Sequence, residues 1–149
     1  MAPEVSLMVA LFALAALHAW SRGGPPERIA AAIITAWLAI DVTYHLLFGP
    51  SGFDSVDPVH LWLDGAVLAA IVWLALRANR MWPLWAAAAQ LICVSGHIAV
   101  FIQPDGIRRA YWAMTQIPPF IQVAALICGA IAHARRERII GPYRSWRVA

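Results

Sequence analysis

The sequence predicts an all-α protein, a polytopic membrane bundle of five transmembrane helices. Hydrophobic residues make up 62% of the 149 residues and charged residues only 13%, whereas a soluble domain of this length has about 25% charged residues. The mean hydropathy is +0.68. Apolar runs of the length that spans a bilayer alternate with short breaks rich in Gly, Pro and charged residues. These observations exclude an ordinary soluble domain, a disordered chain and a fibrous repeat.

The first two predicted spans are separated by glycine and proline. The first span covers residues 3–20, and no basic residue precedes Arg22. A cleaved signal peptide begins with a positively charged region, so we interpret this run as a retained helix. The sequence Gly23-Gly24-Pro25-Pro26 ends it. The second span covers residues 28–48 and ends at the glycine-rich loop that follows.

The third and fourth predicted spans form a hairpin. They cover residues 59–77 and 81–102, and the polar turn Ala78-Asn79-Arg80 joins them. Pro83 lies in the first turn of the fourth span, where a missing amide hydrogen costs little.

The last apolar region contains the pair Pro118-Pro119. Because proline suits a helix start better than a helix interior, we predict a final span over residues 117–134. Residues 108–116 then form a short interfacial helix or a re-entrant segment, and one kinked helix over 108–134 is the alternative. Residues 135–149 are predicted to form a basic cytoplasmic tail, and the whole chain 1–149 a single transmembrane domain.

The basic residues predict the orientation of the bundle. All of them are Arg, and nine lie on one side of the predicted membrane, while only Arg108 and Arg109 lie on the other. The side richer in Arg faces the cytoplasm, which places the N-terminus outside and the C-terminus inside. Because the Arg residues flank apolar segments and form no soluble basic patch, we expect no nucleic-acid partner.

Aromatic and basic residues near the cytoplasmic side predict contacts with lipid or with a protein partner. Tryptophan and tyrosine favour the membrane interface, and arginine attracts anionic headgroups. The predicted contact residues are Trp82, Trp85, Arg135, Arg136, Arg138, Tyr143 and Trp146.

Five ionisable residues lie within or at the ends of the predicted spans: Asp41, His45, His60, Asp64 and His97. Such residues cost at least about 2.5–3.5 kcal/mol each near the membrane centre, so they usually pair or mark a site. Asp41 and His45 share one helix face because they are four residues apart, and so do His60 and Asp64. The helix rise places all five in the outer half of the bundle.

This layer predicts a metal site as one alternative. Imidazole and carboxylate groups suit a divalent metal, Zn, Mn or Fe. His45, Asp64 and His97 can supply three ligands, with His60 as a further candidate. Asp41 and Asp64 are the candidate catalytic bases or orienting groups. The function would be a metal-binding protein or a metal-dependent hydrolase near the outer face.

Two other interpretations use the same residues. Two histidines on facing helices, His45 and His97, can ligate a b-type haem, which predicts a haem- or quinone-linked electron-transfer subunit. Alternatively, hydrogen bonds between Asp41 and His60 and between His45 and Asp64 only pin the helices together. The two thiols, Cys93 and Cys128, are predicted to be inert.

The stretch from Ala78 to Ala87, ANRMWPLWAA, is followed by Gln90-Leu91 and Gly96-His97. This pattern resembles one found in small, uncharacterised bacterial polytopic membrane proteins. The resemblance implies a multi-pass membrane fold, and it carries no activity or catalytic residue. We expect the protein to lie in a bacterial inner membrane.

The small size and the lack of a catalytic signature favour one function over the alternatives above. We predict an accessory or structural subunit of a larger membrane assembly, in contact with the lipid bilayer and with other subunits or copies of itself.

Overall fold

The computed structural model describes residues 3–50, 52–53, 55–103 and 108–147, and within the first helix it leaves the side chains of residues 3–5 and 7 undescribed. Six helices account for most of this part of the chain. They are α1 (Pro3–Arg22), α2 (Pro25–Phe48), α3 (Pro58–Arg77), α4 (Trp82–Ile102), α5 (Arg108–Gln116) and α6 (Pro118–Ile140). Within the described ranges no strand forms, so the all-α prediction is confirmed.

Four segments are long and apolar enough to cross a membrane. They are α2, α3, α4 and the consecutive pair α5–α6, which together run from Arg108 to Ile140. The described part of α1 forms a shorter apolar helix, Met8–Arg22. Large apolar side chains such as Trp62, Phe101 and Leu46 lie on the outside of the bundle. This inside-out distribution is typical of a multi-pass protein whose surface is solvated by lipid.

Proline and polar caps set the helix starts. Pro25, Pro58, Pro83 and Pro118 each lie in the first turn of a helix, where the missing amide hydrogen has no backbone acceptor to bond with. The carboxylate of Asp57 caps α3 by accepting a 2.9 Å hydrogen bond from the amide of Val59. These local signals are why the helix starts follow the predicted spans closely.

α5 and α6 form one interrupted helical segment, Arg108–Ile140, rather than an interfacial helix followed by a span. α5 packs antiparallel along α4, since Tyr111 contacts His97 and Thr115 contacts Cys93. Only Ile117 separates α5 from α6, and its amide still donates to the carbonyl of Ala113. The buried faces of Tyr111 and Thr115 explain why α5 lies in the bundle and not at its surface.

The end of the chain differs from the predicted basic tail over residues 135–149. α6 continues to Ile140, so Arg135, Arg136 and Arg138 are helical. The chain then returns to the α3–α4 turn, where Ala78 and Trp146 form an antiparallel bridge. The amide of Asn79 donates to Ser145 and the amide of Arg147 to Arg77. We call this end of the bundle the α3–α4 end, and the opposite end the α2–α3 end.

Small side chains allow the helices to approach closely. Ala19, Ala30 and Ala86 are fully buried in the core that joins the helices. At Gly129 of α6, a β-carbon would lie 2.4 Å from the indole of Trp82, so only glycine leaves room for that ring. Small residues at helix contacts are the usual packing device of membrane bundles.

Candidate functional site

Asp41, His45 and His60 form a cluster at the α2–α3 end, which we call the Asp41 cluster. The Nε2 atom of His60 lies 3.3 Å from Nε2 of His45 and 3.2 Å from Oδ1 of Asp41. Nε2 of His45 lies 3.7 Å from the same carboxylate oxygen. These side chains are 15–32% exposed, so the cluster is partly accessible.

The other ring nitrogens of the two histidines face oxygen atoms. Nδ1 of His45 lies 3.0 Å from the carbonyl oxygen of Gly49, which can only accept, so Nδ1 carries the hydrogen. The neutral ring then presents a bare lone pair at Nε2. Nδ1 of His60 lies 3.2 Å from Oδ2 of Asp57, close enough for a charge contact. Within the described chain it makes no hydrogen bond.

Asp57 is fixed by two further contacts. Its Oδ2 accepts a 2.7 Å hydrogen bond from the hydroxyl of Tyr44, and its Oδ1 accepts from Val59 as the cap of α3. Partial burial by itself raises the pKa of Asp57, but these hydrogen bonds and the nearby His60 outweigh it and hold the pKa below its usual value. Asp57 is therefore a stable anion behind His60.

Asp64, Cys93 and His97 form a second, fully buried cluster, the Asp64 cluster. Oδ2 of Asp64 lies 2.9 Å from Nε2 of His97 and accepts from the thiol of Cys93 at 3.2 Å. Its Oδ1 accepts from the indole of Trp37 and the amide of Gln90. The four donors satisfy the carboxylate completely.

The remaining polar atoms of the Asp64 cluster are satisfied as well. Nδ1 of His97 lies 2.8 Å from the hydroxyl of Tyr111, and Gln122 of α6 donates to the side-chain oxygen of Gln90. Buried polar groups in a complete network rigidify packing, whereas an incomplete network marks a site. The Asp64 cluster therefore pins α2, α3, α4, α5 and α6 together.

The structure divides the predicted ligands between the two clusters. His45 and His60 lie with Asp41, while Asp64 and His97 lie with Cys93. Of the two predicted hydrogen bonds that pin the α2–α3 hairpin, the Asp41–His60 contact is present. His45 instead contacts Asp41, Gly49 and His60.

The predicted haem pair is not formed. Both ring nitrogens of His97 lie within 3 Å of protein partners, Asp64 and Tyr111, so neither is directed at a cofactor. His45 stacks on His60 at a ring-centroid distance of 5.0 Å and lies in a different cluster from His97.

Comparison with family models, with curated proteins and with solved structures finds no match for this chain.

A third polar network lies at the α3–α4 end, around a carboxylate that the sequence analysis did not single out. Glu27 is fully buried, and its Oε1 accepts from Nε of Arg80 at 3.2 Å and from the indole of Trp82 at 2.8 Å. Nη2 of Arg80 lies 3.1 Å from Nδ1 of His133. Glu27 stands three residues after Gly24, whose amide it caps, and that capping-box spacing was the available signal.

The predicted lipid or partner contacts are placed unequally. Trp85 is 69% exposed, and Arg135, Arg136 and Arg138 are exposed as well. Trp82 is buried, and its indole N–H donates a hydrogen bond to Glu27. Trp146 lies beside Trp73, and Tyr143 lies over Arg80 and next to His133. Partial burial raises the pKa of Tyr143, and the charge of Glu27 adds to that effect against the opposing charges of Arg80 and Arg136.

Proposed function

We propose that the protein binds a divalent metal ion, Zn²⁺ above Mn²⁺ or Fe²⁺, at the Asp41 cluster. The observation that carries this proposal is the triangle of Nε2 of His45, Nε2 of His60 and Oδ1 of Asp41, with edges of 3.3, 3.2 and 3.7 Å. A tetrahedral zinc ion with bonds of about 2.0–2.1 Å places its ligand atoms about 3.3 Å apart. The three atoms therefore fit one face of a tetrahedron.

The orientation of the two imidazole rings supports the same proposal. Nε2 of His45 offers a lone pair beside Oδ1 of Asp41, and Nε2 of His60, which lies within hydrogen-bonding distance of both atoms, would give up its hydrogen when the ion binds. The other nitrogen of His45 bonds to the carbonyl of Gly49, and that of His60 lies 3.2 Å from the carboxylate of Asp57. Metal-bound histidines are commonly oriented in this way by a carbonyl or carboxylate oxygen. The Asp64 cluster lacks this feature because every one of its acceptors already has a donor.

Three protein ligands leave one coordination position open. An open position allows exchange of the ion or binding of a water molecule. Hydrolysis would also need a base facing that position, and the carboxylate of Asp64, a predicted base, is occupied by its four donors. The proposal is therefore reversible binding of the ion rather than metal-dependent hydrolysis.

We propose five spans with the N-terminus outside, which places the metal site in the outer half of a bacterial inner membrane. α1 has 20 residues, enough for about 30 Å of helix. The residues Arg22, Arg77, Arg80 and Arg147 lie at the α3–α4 end. That end is then the cytoplasmic one by the positive-inside rule.

The experiment is equilibrium dialysis of the chelator-treated protein, in a neutral detergent, against Zn²⁺. We expect one ion per chain, lost in His60→Gln and in Asp41→Asn. The matched control is His97→Gln, a histidine variant in the Asp64 cluster, which we expect to keep the ion. No stoichiometric zinc in the parent protein, or equal loss in the control, would overturn the proposal.

An accessory role in a larger assembly stays a prediction from the sequence. Tail residues are among the predicted partner contacts, yet residues 145–147 pair with residues 77–79 of the same chain. Co-purification of a fixed subunit from native membranes would support that role.

A further inference from the structure

A cleft of about 500 Å³ opens at the α3–α4 end, on the opposite side of the bundle from the Asp41 cluster. The α3–α4 turn, the start of α4, the second half of α6 and the returning tail form its walls. Its lining includes Arg80, Arg136, Arg147 and Tyr143, together with Trp85.

The cleft has an excess of positive charge. Three arginines line it and, among the described residues, no Asp or Glu side chain does. The charge of Arg80 is balanced from behind by Glu27. Arg136 lies 4.3 Å over the ring of Tyr143 and has no ion pair within the described chain. Nε of Arg147 donates to the carbonyl of Ala78, which orients the guanidinium without neutralising it.

The α6 side of the cleft is lined by small side chains. Cys128, Gly129 and Ala132 form this part of the lining, which runs along the helix from Arg136 and which we call the groove. Met81 and Trp85 are 68% and 69% exposed on the α4 side of the groove. A tryptophan in this position is typical of the level of the lipid headgroups.

We propose that this cleft binds one anionic phospholipid. Its phosphate lies between Arg136 and Arg147, and one acyl chain follows the groove beside Cys128 and Ala132. Basic clefts between transmembrane helices on the cytoplasmic side are suited to anionic headgroups, because charge and hydrophobic burial act on the same molecule. The proposal is independent of the metal site, and the choice of the cytoplasmic side rests on the proposed orientation.

The test measures lipid binding to the full chain in a neutral detergent by native mass spectrometry. The probes are phosphatidylglycerol, phosphatidylcholine with the same acyl chains, and inorganic phosphate. We expect one phosphatidylglycerol per chain and about fivefold weaker binding for each arginine removed, or about 25-fold in Arg136→Gln/Arg147→Gln. Arg136→Gln alone leaves the pairing of the tail intact and serves if the double variant does not fold.

The matched control is Arg135→Gln/Arg138→Gln, which removes the same charge from α6 outside the cleft. We expect its affinity for phosphatidylglycerol to stay within about twofold of the parent protein. Equal weakening in the control would show a general surface charge effect and overturn the proposal. Equal binding of phosphatidylcholine, or displacement of the lipid by inorganic phosphate at the same concentration, would also overturn it.

Discussion

His60 and Asp64 lie one turn apart on α3 and bond to different neighbouring helices. His60 contacts Asp41 of α2, whereas Asp64 contacts His97 of α4. α3 thus joins a partly exposed cluster of two imidazoles and a carboxylate to a buried network in which every acceptor is used. A variant of the first cluster is expected to alter ligand binding, and a variant of the second to alter the stability of the bundle.

Replacing Asp57 by Asn is expected to weaken zinc binding about 10–100-fold, the range found when a group that orients a metal ligand is lost. The carboxylate lies 3.2 Å from Nδ1 of His60 and does not itself belong to the triangle of ligands. Because Asn caps a helix about as well as Asp, α3 should remain intact. The measurement is competition with a chromophoric chelator, alongside thermal unfolding. An unchanged affinity would show that Asp57 does not orient His60.

How far the sequence predicts this arrangement can be seen at individual residues. The proline and glycine breaks and the long apolar runs predicted the helices, because these signals act locally. The spacing of Asp41 with His45, and of His60 with Asp64, correctly placed each pair on one helix. It could not give the rotation of α3 between α2 and α4, which decides that Asp64 bonds with His97.

Contacts between segments that are far apart in the chain could not be predicted from the sequence either. Cys93 was predicted to be an inert thiol, and its hydrogen bond to Asp64 depends on how α4 faces α3. Glu27 and Arg80 are 53 residues apart, and only the folded bundle brings them together. The helix break at Ile117 lies directly before the Pro118-Pro119 pair, which predicted it. The position of α5 inside the bundle, however, depends on the packing of Tyr111 and Thr115 against α4.

Replacing Arg80 by Met is expected to destabilise the bundle by about 3–5 kcal/mol, because it leaves the buried carboxylate of Glu27 without its cation. The double variant Glu27→Gln/Arg80→Met should lose less than the sum of the two single variants. Unfolding in mixed detergent micelles measures both. The control is Arg77→Met, since Arg77 is exposed and makes no ion pair within the described chain. Additive losses would show that the two charges are not coupled.

Tyr143 is expected to make stability depend on pH in the alkaline range. Its pKa is raised above the usual value of 10.0 in the folded protein, mainly by burial. A raised folded pKa favours the neutral phenol, so its contribution is complete below pH 10 and is lost as the pH rises through the folded pKa. The difference in melting temperature between the parent protein and Tyr143→Phe should therefore shrink above pH 10. A constant difference from pH 8 to pH 11 would contradict this.

Replacing Gly129 by Ala is expected to destabilise the protein by about 1–3 kcal/mol, the usual cost of overpacking. The new β-carbon would lie 2.4 Å from Cδ1 and 2.5 Å from Nε1 of Trp82, so the indole must move. Movement of the ring breaks its 2.8 Å hydrogen bond to Glu27 and removes one of the donors of that buried carboxylate. The measurement is thermal unfolding together with tryptophan fluorescence, which should shift to the red as the ring leaves its buried position.

The matched control for Gly129 is Gly65→Ala on α3. A β-carbon at Gly65 meets nothing within 4 Å among the described residues, so the substitution adds no steric cost. Alanine favours a helix over glycine by about 0.8–1.0 kcal/mol, and the control should be neutral or slightly stabilising. Both variants make the same chemical change in a transmembrane helix, and they differ in whether Trp82 is in the way. Equal effects at the two positions would mean that the contact between Gly129 and Trp82 does not hold α4 against α6.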